Sequence, residues 1–140
     1  MLRRNVSRVR KRIRKSLFSY DLNRQSICVP KGAAKLSYGR DIGALLEKKG
    51  HLTGGRVKLT HLHAVYPHDH ACFNILYLVS SALPLYVLEV IRWAKRNGVR
   101  IILNQNGVAY PAWTDDYQTI NEELGGVISQ ADFVLYQSDF

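Results

Sequence analysis

A chain of 140 residues is long enough for one domain with its own core and too short for two ordinary ones. Hydrophobic residues at 46% and charged residues at 22% are the mix of a soluble globular domain, which excludes a disordered chain. The net charge of +9 is concentrated: residues 1–16 hold eight of the twenty Lys and Arg and no acid, so the rest of the chain, with twelve bases against eleven acids, is nearly neutral. A nucleic-acid-binding domain spreads basic charge over a folded face, so nucleic acid is not an expected partner.

The first element is a basic arm over residues 1–16. Leu2, Val6, Val9, Ile13 and Leu17 follow one another at helical spacing and leave an opposite face made almost wholly of Arg and Lys. Three readings stand open: a helix lying on an anionic membrane surface, a solvated or packed basic extension, and a nucleic-acid contact. The arm is not a signal peptide, because no apolar stretch follows its charges. Cys28 and Cys72 form no CxxC pair and read as buried thiols of a reducing compartment. The expected location is cytoplasmic, or peripheral on the inner membrane face.

The body, residues 17–140, alternates strand and helix. Ser26–Val29 reads as a short strand ending at Pro30, followed by a loop with Gly32 and Gly39. Ile42, Leu45 and Leu46 give a helical face that stops at Gly50. Val57–Val65 alternates and is rich in β-branched character, which predicts a second strand. Residues 71–91 carry a single charge, Glu89, but Asn74, Ser80, Ser81 and Pro84 interrupt the run. A buried strand over Ile75–Val79, a loop and a helix opening at Pro84 explain these letters better than a membrane span. Gly98 closes that helix, and Val99–Leu103 is the next strand. Thr114 is the expected cap of a helix whose face runs through Tyr117, Ile120, Leu124, Val127, Ile128 and Ala131. Phe133–Tyr136 is the last strand.

Strands separated by helices predict an α/β, Rossmann-like parallel sheet with helices on both faces. Ligands of such sheets bind at the carboxyl ends of the strands, here the loops 30–40, 61–70, 80–84, 104–113 and 137–140. Asn104, Gln105 and Asn106 offer amide donors and acceptors after a strand, Gly107 permits a turn, and Tyr110 and Trp113 supply flat apolar faces suited to a sugar ring. The same letters also describe a polar turn with an aromatic corner.

The run VRIILNQNGVAYPAW, with NILYLVSSALP before it and ADFVLYQSDF after it, resembles the N-terminal domain of family-four (group 1) GT-B glycosyltransferases. In that family an AD-x-V-x-x-x-S-[DE] strand closes the first domain, matched here by Ala131, Asp132, Val134, Ser138 and Asp139. KGAAKLSYGRDIGALL resembles the family's glycine-containing loop and first helix, which implies that Lys31, Gly32, Ser37, Tyr38 and Gly39 face an interdomain cleft. The likeness spans residues 26–140. It implies the N-terminal half of a GT-B fold and binding of a sugar or lipid-linked acceptor through Gly32, Ser37, Tyr38, Gly39, Asn104, Gln105, Asn106, Tyr110 and Trp113, to which the residues themselves add His63 as a candidate contact. It further implies retaining transfer from a nucleotide-sugar donor, which is a substrate, with no obligatory cofactor or metal. Many members carry a histidine where this chain has Asn104-Gln105-Asn106, so no catalytic residue is assigned. The family's donor site lies in a second, C-terminal domain with which this chain would have to work. The sequence reads as incomplete at its C-terminus, so alone it is not expected to catalyse. A stand-alone binding module or inactive remnant is the alternative.

His61 and His63 would share a face of the predicted strand, with His68 and His70 flanking Asp69 beyond it. Zinc ligation, contact with an acceptor or phosphate, and a structural role all remain open. No GxSxG elbow, GxxxxGK[ST] loop or GxGxxG occurs, which removes ordinary hydrolase, NTPase and dinucleotide readings.

Overall fold

The computed structural model describes residues 2–39 and 54–136, with side chains described from residue 9 onward. Four strands, β1 (Leu36–Ser37), β2 (Ile75–Val79), β3 (Arg100–Gln105) and β4 (Phe133–Tyr136), form one sheet in that order, every neighbouring pair parallel. The register runs from Ile75 opposite Arg100 to Val79 opposite Asn104, and from Ile102 opposite Phe133 to Gln105 opposite Tyr136. Among the described residues four helices flank it: α1 (Leu2–Asn23), α2 (Gly54–Val65), α3 (Val87–Arg96) and α4 (Tyr117–Gln130).

Side chains alternate across β2, so one strand feeds two cores. Leu76 and Leu78 pack with Ile101 and Leu103 of β3 against Val87, Val90, Ile91 and Ala94 of α3 and Leu124 and Val127 of α4. On the other face Val79, with Ile75 and Tyr77, meets Leu36, Tyr38 and Ala82, and Leu59 and Leu62 of α2. The architecture is Rossmann-like α/β, as the alternating pattern predicts.

The strands Ile75–Val79 and Phe133–Tyr136 stand where the sequence puts them, and β3 begins one residue later than predicted and runs two further. The end of α3 follows the predicted glycine stop: Gly98 takes φ +80°, its N–H donates to the Lys95 carbonyl and that of Val99 donates to Ala94, the Schellman closure. The start of α3 differs. It opens at Val87 rather than Pro84, after Tyr86 in the left-handed region at φ 53°, where the Tyr86 ring rests against Phe18 of α1 with centroids 5.2 Å apart. In α4 the predicted Thr114 cap is not used. The helix begins at Tyr117, and the Thr114 hydroxyl instead accepts the Asp116 N–H at 3.3 Å. Gly125 and Gly126 sit within a continuous helix.

Three further expectations are corrected. Val57–Val65 is not a strand but most of α2. Gly55, Leu59 and Leu62 recur at helical spacing on its sheet-facing side, and a chain passing between parallel neighbours needs a crossover that a helix supplies. Ser26–Val29 is not a strand either: it contributes one parallel bridge, Cys28 opposite Cys72, and the first sheet strand comes at Leu36. That bridge brings the two cysteines into a disulfide, their Cα atoms 4.3 Å apart, so they are not the free thiols the sequence suggests. Spacing along the chain cannot reveal a pair 44 residues apart that only the fold juxtaposes.

The basic arm is helical but longer than predicted. Its last turns fold onto the body, where Phe18 and Leu22 reach the main core and Lys15 pairs with Glu89 of α3 at 2.9 Å. The apolar run 71–91 divides into β2, a 3-10 turn (Ser80–Ala82) and the start of α3, and no helix among the described residues is long and apolar enough to cross a membrane. The predicted helix around Ile42, Leu45 and Leu46, its Gly50 stop, and the Ser138-Asp139 end of the resemblance lie outside the described residues.

Candidate functional site

The carboxyl ends of β2 and β3 open into a cleft of about 180 Å³ lined by Ser80, Ser81, Asn106, Gly107, Val108, Ala109, Tyr110, Trp113, Ile120 and Leu124. This is where an open parallel sheet presents its ligand-binding loops. Asn106 organises the polar wall. Its backbone N–H donates to the Ser80 hydroxyl at 2.8 Å, its side-chain amide donates to the Ser81 hydroxyl at 2.6 Å, and its side-chain oxygen accepts from the Lys58 ammonium at 3.0 Å. Lys58 comes from α2, so a helix, a turn and a strand end are tied together at one amide.

The opposite wall is the loop 107–113. Gly107 at φ +146° lets the chain turn away from β3 in a conformation that a side chain disfavours. The Gln105 amide donates to the Gly107 carbonyl at 2.6 Å and fixes that turn. Farther on, the Asn121 side chain of α4 accepts the Ala109 N–H at 2.9 Å and donates to the Ala109 carbonyl at 2.8 Å. Both backbone groups of a buried loop residue are thus satisfied by one amide. The Tyr110 carbonyl accepts the N–H of Trp113 at 2.9 Å, and this turn puts the two rings side by side, centroids 6.4 Å apart and inclined at 41°. Both rings are turned to solvent, Tyr110 57% and Trp113 63% exposed. The two rings thus present flat apolar faces to solvent beside the hydroxyls and amide of the opposite wall.

The predicted site residues divide. Asn106, Tyr110 and Trp113 meet in the cleft. Asn104 and Gln105 lie inside β3 and alternate across the sheet: Asn104 donates to the Tyr77 hydroxyl at 2.9 Å, while Gln105 is buried. Among the described residues Asn104 Oδ1 and Gln105 Oε1 are buried with no protein hydrogen-bond partner. Ser37 ends β1 and Gly39 follows it, and both line a separate hollow of about 500 Å³, together with Phe18, Leu22, Gln25, His68, His70, Phe73, Val90 and Trp93. Gly32 lies at the other end of the sheet, in the loop leading into β1. That loop is pinned by Asn74, whose amide donates to the Pro30 and Ala33 carbonyls at 3.1 Å each and whose oxygen accepts the Lys35 N–H at 2.9 Å.

Tyr38 is buried rather than cleft-facing. Its hydroxyl donates to the Tyr66 carbonyl at 2.6 Å, and burial, with Tyr77 nearby, pushes its pKa up to about 12. His63 sits on α2, not on a strand, so it shares no face with His61. Its Nδ1 accepts the His68 N–H at 2.9 Å, and His68 Nδ1 in turn accepts the Tyr38 N–H at 3.2 Å. Asp69 accepts the N–H groups of Cys72 and Ala71 at 2.8 and 2.9 Å, which hold its carboxyl below the usual range. These side chains brace the turn from α2 to β2, and among the described residues no group of three or more His, Cys, Asp or Glu is placed to hold a metal ion.

Sequence reasoning missed Lys58, Asn121 and the role of the Ser80-Ser81 pair. Asn121 was detectable: it is the polar residue on the stripe Tyr117, Asn121, Leu124, Ile128, where an amide needs a buried partner. Lys58 could not be placed while its segment reads as a strand. No protein-family model, no curated protein and no solved structure matches the chain.

Proposed function

We propose that this chain is the acceptor-side half of a retaining GT-B glycosyltransferase, holding a sugar or lipid-linked acceptor in the cleft between Asn106 and the Tyr110–Trp113 turn. A donor-binding domain would complete the enzyme. The observation that carries the reading is the pair of exposed rings beside the Ser80, Ser81 and Asn106 network at the carboxyl end of the sheet. A pyranose presents an apolar face of C–H groups to one ring while its hydroxyls exchange hydrogen bonds with the amide and serines. The cleft brings hydroxyls, an amide and flat rings together, which suits it to binding and orienting an acceptor.

The two tryptophans make the test simple, because Trp93 is 6% exposed and Trp113 63%. Titration with methyl glycosides, disaccharides and a polyprenyl-phosphate sugar should change the emission of the exposed indole for at least one of them. Trp113→Ala should weaken that binding by about tenfold, the worth of one good ring contact. Emission unmoved by every saccharide, or equal binding by Trp113→Ala, would refute the reading.

A further inference from the structure

The apolar stripe of α1 is not what fastens the helix to the domain. Phe18, Leu22 and Lys15 make those contacts. With about 3.6 residues per turn, Val9, Ile13, Leu17 and Tyr20 fall on the side away from them. They are correspondingly open to solvent, at 55, 53, 58 and 59%. An aliphatic and aromatic row of this length left in water on a helix otherwise lined by Arg10, Lys11, Arg12 and Arg14, all exposed, needs a partner that accepts both apolar and cationic groups.

We infer that α1 docks flat on an anionic phospholipid surface, its Val9–Ile13–Leu17–Tyr20 row sunk among the acyl chains and its flanking bases on the phosphates. Charge complementarity selects this occupant. A second copy would bring two clusters of eight bases together, and nucleic acid would leave the aliphatic row unused. Because Lys15, Phe18 and Leu22 hold the opposite side of the helix, the body rides on the face of α1 turned away from the bilayer. This inference does not depend on the cleft, and either can fail without the other.

The test is co-sedimentation with vesicles of phosphatidylcholine alone and of phosphatidylcholine mixed with phosphatidylglycerol. Binding to the mixed vesicles should exceed binding to neutral ones by about tenfold or more and fall with added salt. The double variant Ile13→Glu with Leu17→Glu should lose it while keeping its thermal unfolding midpoint, since neither residue touches the core. Arg10→Gln with Arg14→Gln should weaken binding to the mixed vesicles only. Equal binding to both vesicle types, or full binding by the glutamate variant, would overturn the inference. So would a lowered midpoint in that variant, self-association that it abolishes, or binding to duplex DNA in place of the mixed vesicles.

Discussion

Gly55 connects the packing of α2 to the shape of the cleft, and its replacement by alanine tests that connection. Glycine inside a helix ordinarily costs about 0.5–1 kcal/mol relative to alanine, so Gly55→Ala would stabilise the chain if the site were open. It is not open. An added Cβ would fall against the Ser81 hydroxyl, 3.1 Å from Ala82 Cβ and 3.2 Å from the Ser81 carbonyl carbon. The hydroxyl can rotate away, but the backbone carbon and Ala82 must move with the whole 3-10 turn. Overpacking of this kind costs about 1–3 kcal/mol, which leaves a net loss of about 0–2.5 kcal/mol, centred near 1, after the helical gain. Urea unfolding followed by circular dichroism should show a lower midpoint with an unchanged slope. Gly54→Ala is the control: nothing lies within 4 Å of its added Cβ, and it should be neutral or slightly stabilising. Removing the Ser81 hydroxyl should relieve Gly55→Ala in part only, because the backbone contact remains. A Gly55→Ala protein stabilised as much as an open helical site predicts, by about 0.5–1 kcal/mol, would refute the close approach of α2 to the Ser80–Ala82 turn.

Asn121→Ala strips both partners from the Ala109 backbone and should cost about 1–3 kcal/mol in chemical unfolding, with weaker saccharide binding as the aromatic turn loosens. Asn121→Asp keeps an acceptor for the Ala109 N–H and should fall between the two. Asp132 accepts the Ile101 N–H at 2.7 Å, so Asp132→Ala should destabilise by about 1–3 kcal/mol while Asp132→Asn retains most of the stability, as thermal unfolding would show. Lys15, and after it Arg92, holds the Glu89 carboxyl below the usual range. A depressed carboxylate stabilises the fold fully above its unfolded pKa of about 4.3 and loses that contribution as pH falls through the folded value. The stability gap between wild type and Lys15→Ala should therefore be full near neutrality and close in acid, measured by thermal unfolding across that range.

The central strands were legible because their residues have few other places to go. A run such as Ile75–Val79, apolar on both faces and bounded by Asn74 and Ser80, can only be a buried strand or a short buried helix segment, and Pro84 with Gly98 brackets the helix that follows. Over 54–65 two periods compete. Val57, Leu59 and Val65 fit alternation, whereas Gly55, Leu59 and Leu62 fit a helix, and the packing of Gly55 on the next turn decides between them. The cleft was half legible. Asn106, Tyr110 and Trp113 are visible as loop chemistry after a strand, but the point where β3 stops is not, so Asn104 and Gln105 read as part of a loop although they lie in the strand. Gly32 and Gly39 read as one loop because the letters of Ser26–Val29 look like the strand before it. The strand at Leu36 separates them to opposite ends of the sheet. Contacts made across the chain, such as Cys28 with Cys72 and Asn121 with Ala109, leave no local mark beyond a polar residue in an apolar stripe.

The most direct test of the central claim is a residue-by-residue map of where a saccharide binds. Amide and indole resonances of isotopically labelled protein, followed through a titration with the tightest-binding saccharide, would supply it. The account predicts shifts at Asn106 through Tyr110 and at the Trp113 indole, with the Trp93 indole unmoved. Shifts confined to Ser37, His68, His70 and Trp93 would place the ligand in the hollow beneath α1 and contradict the account.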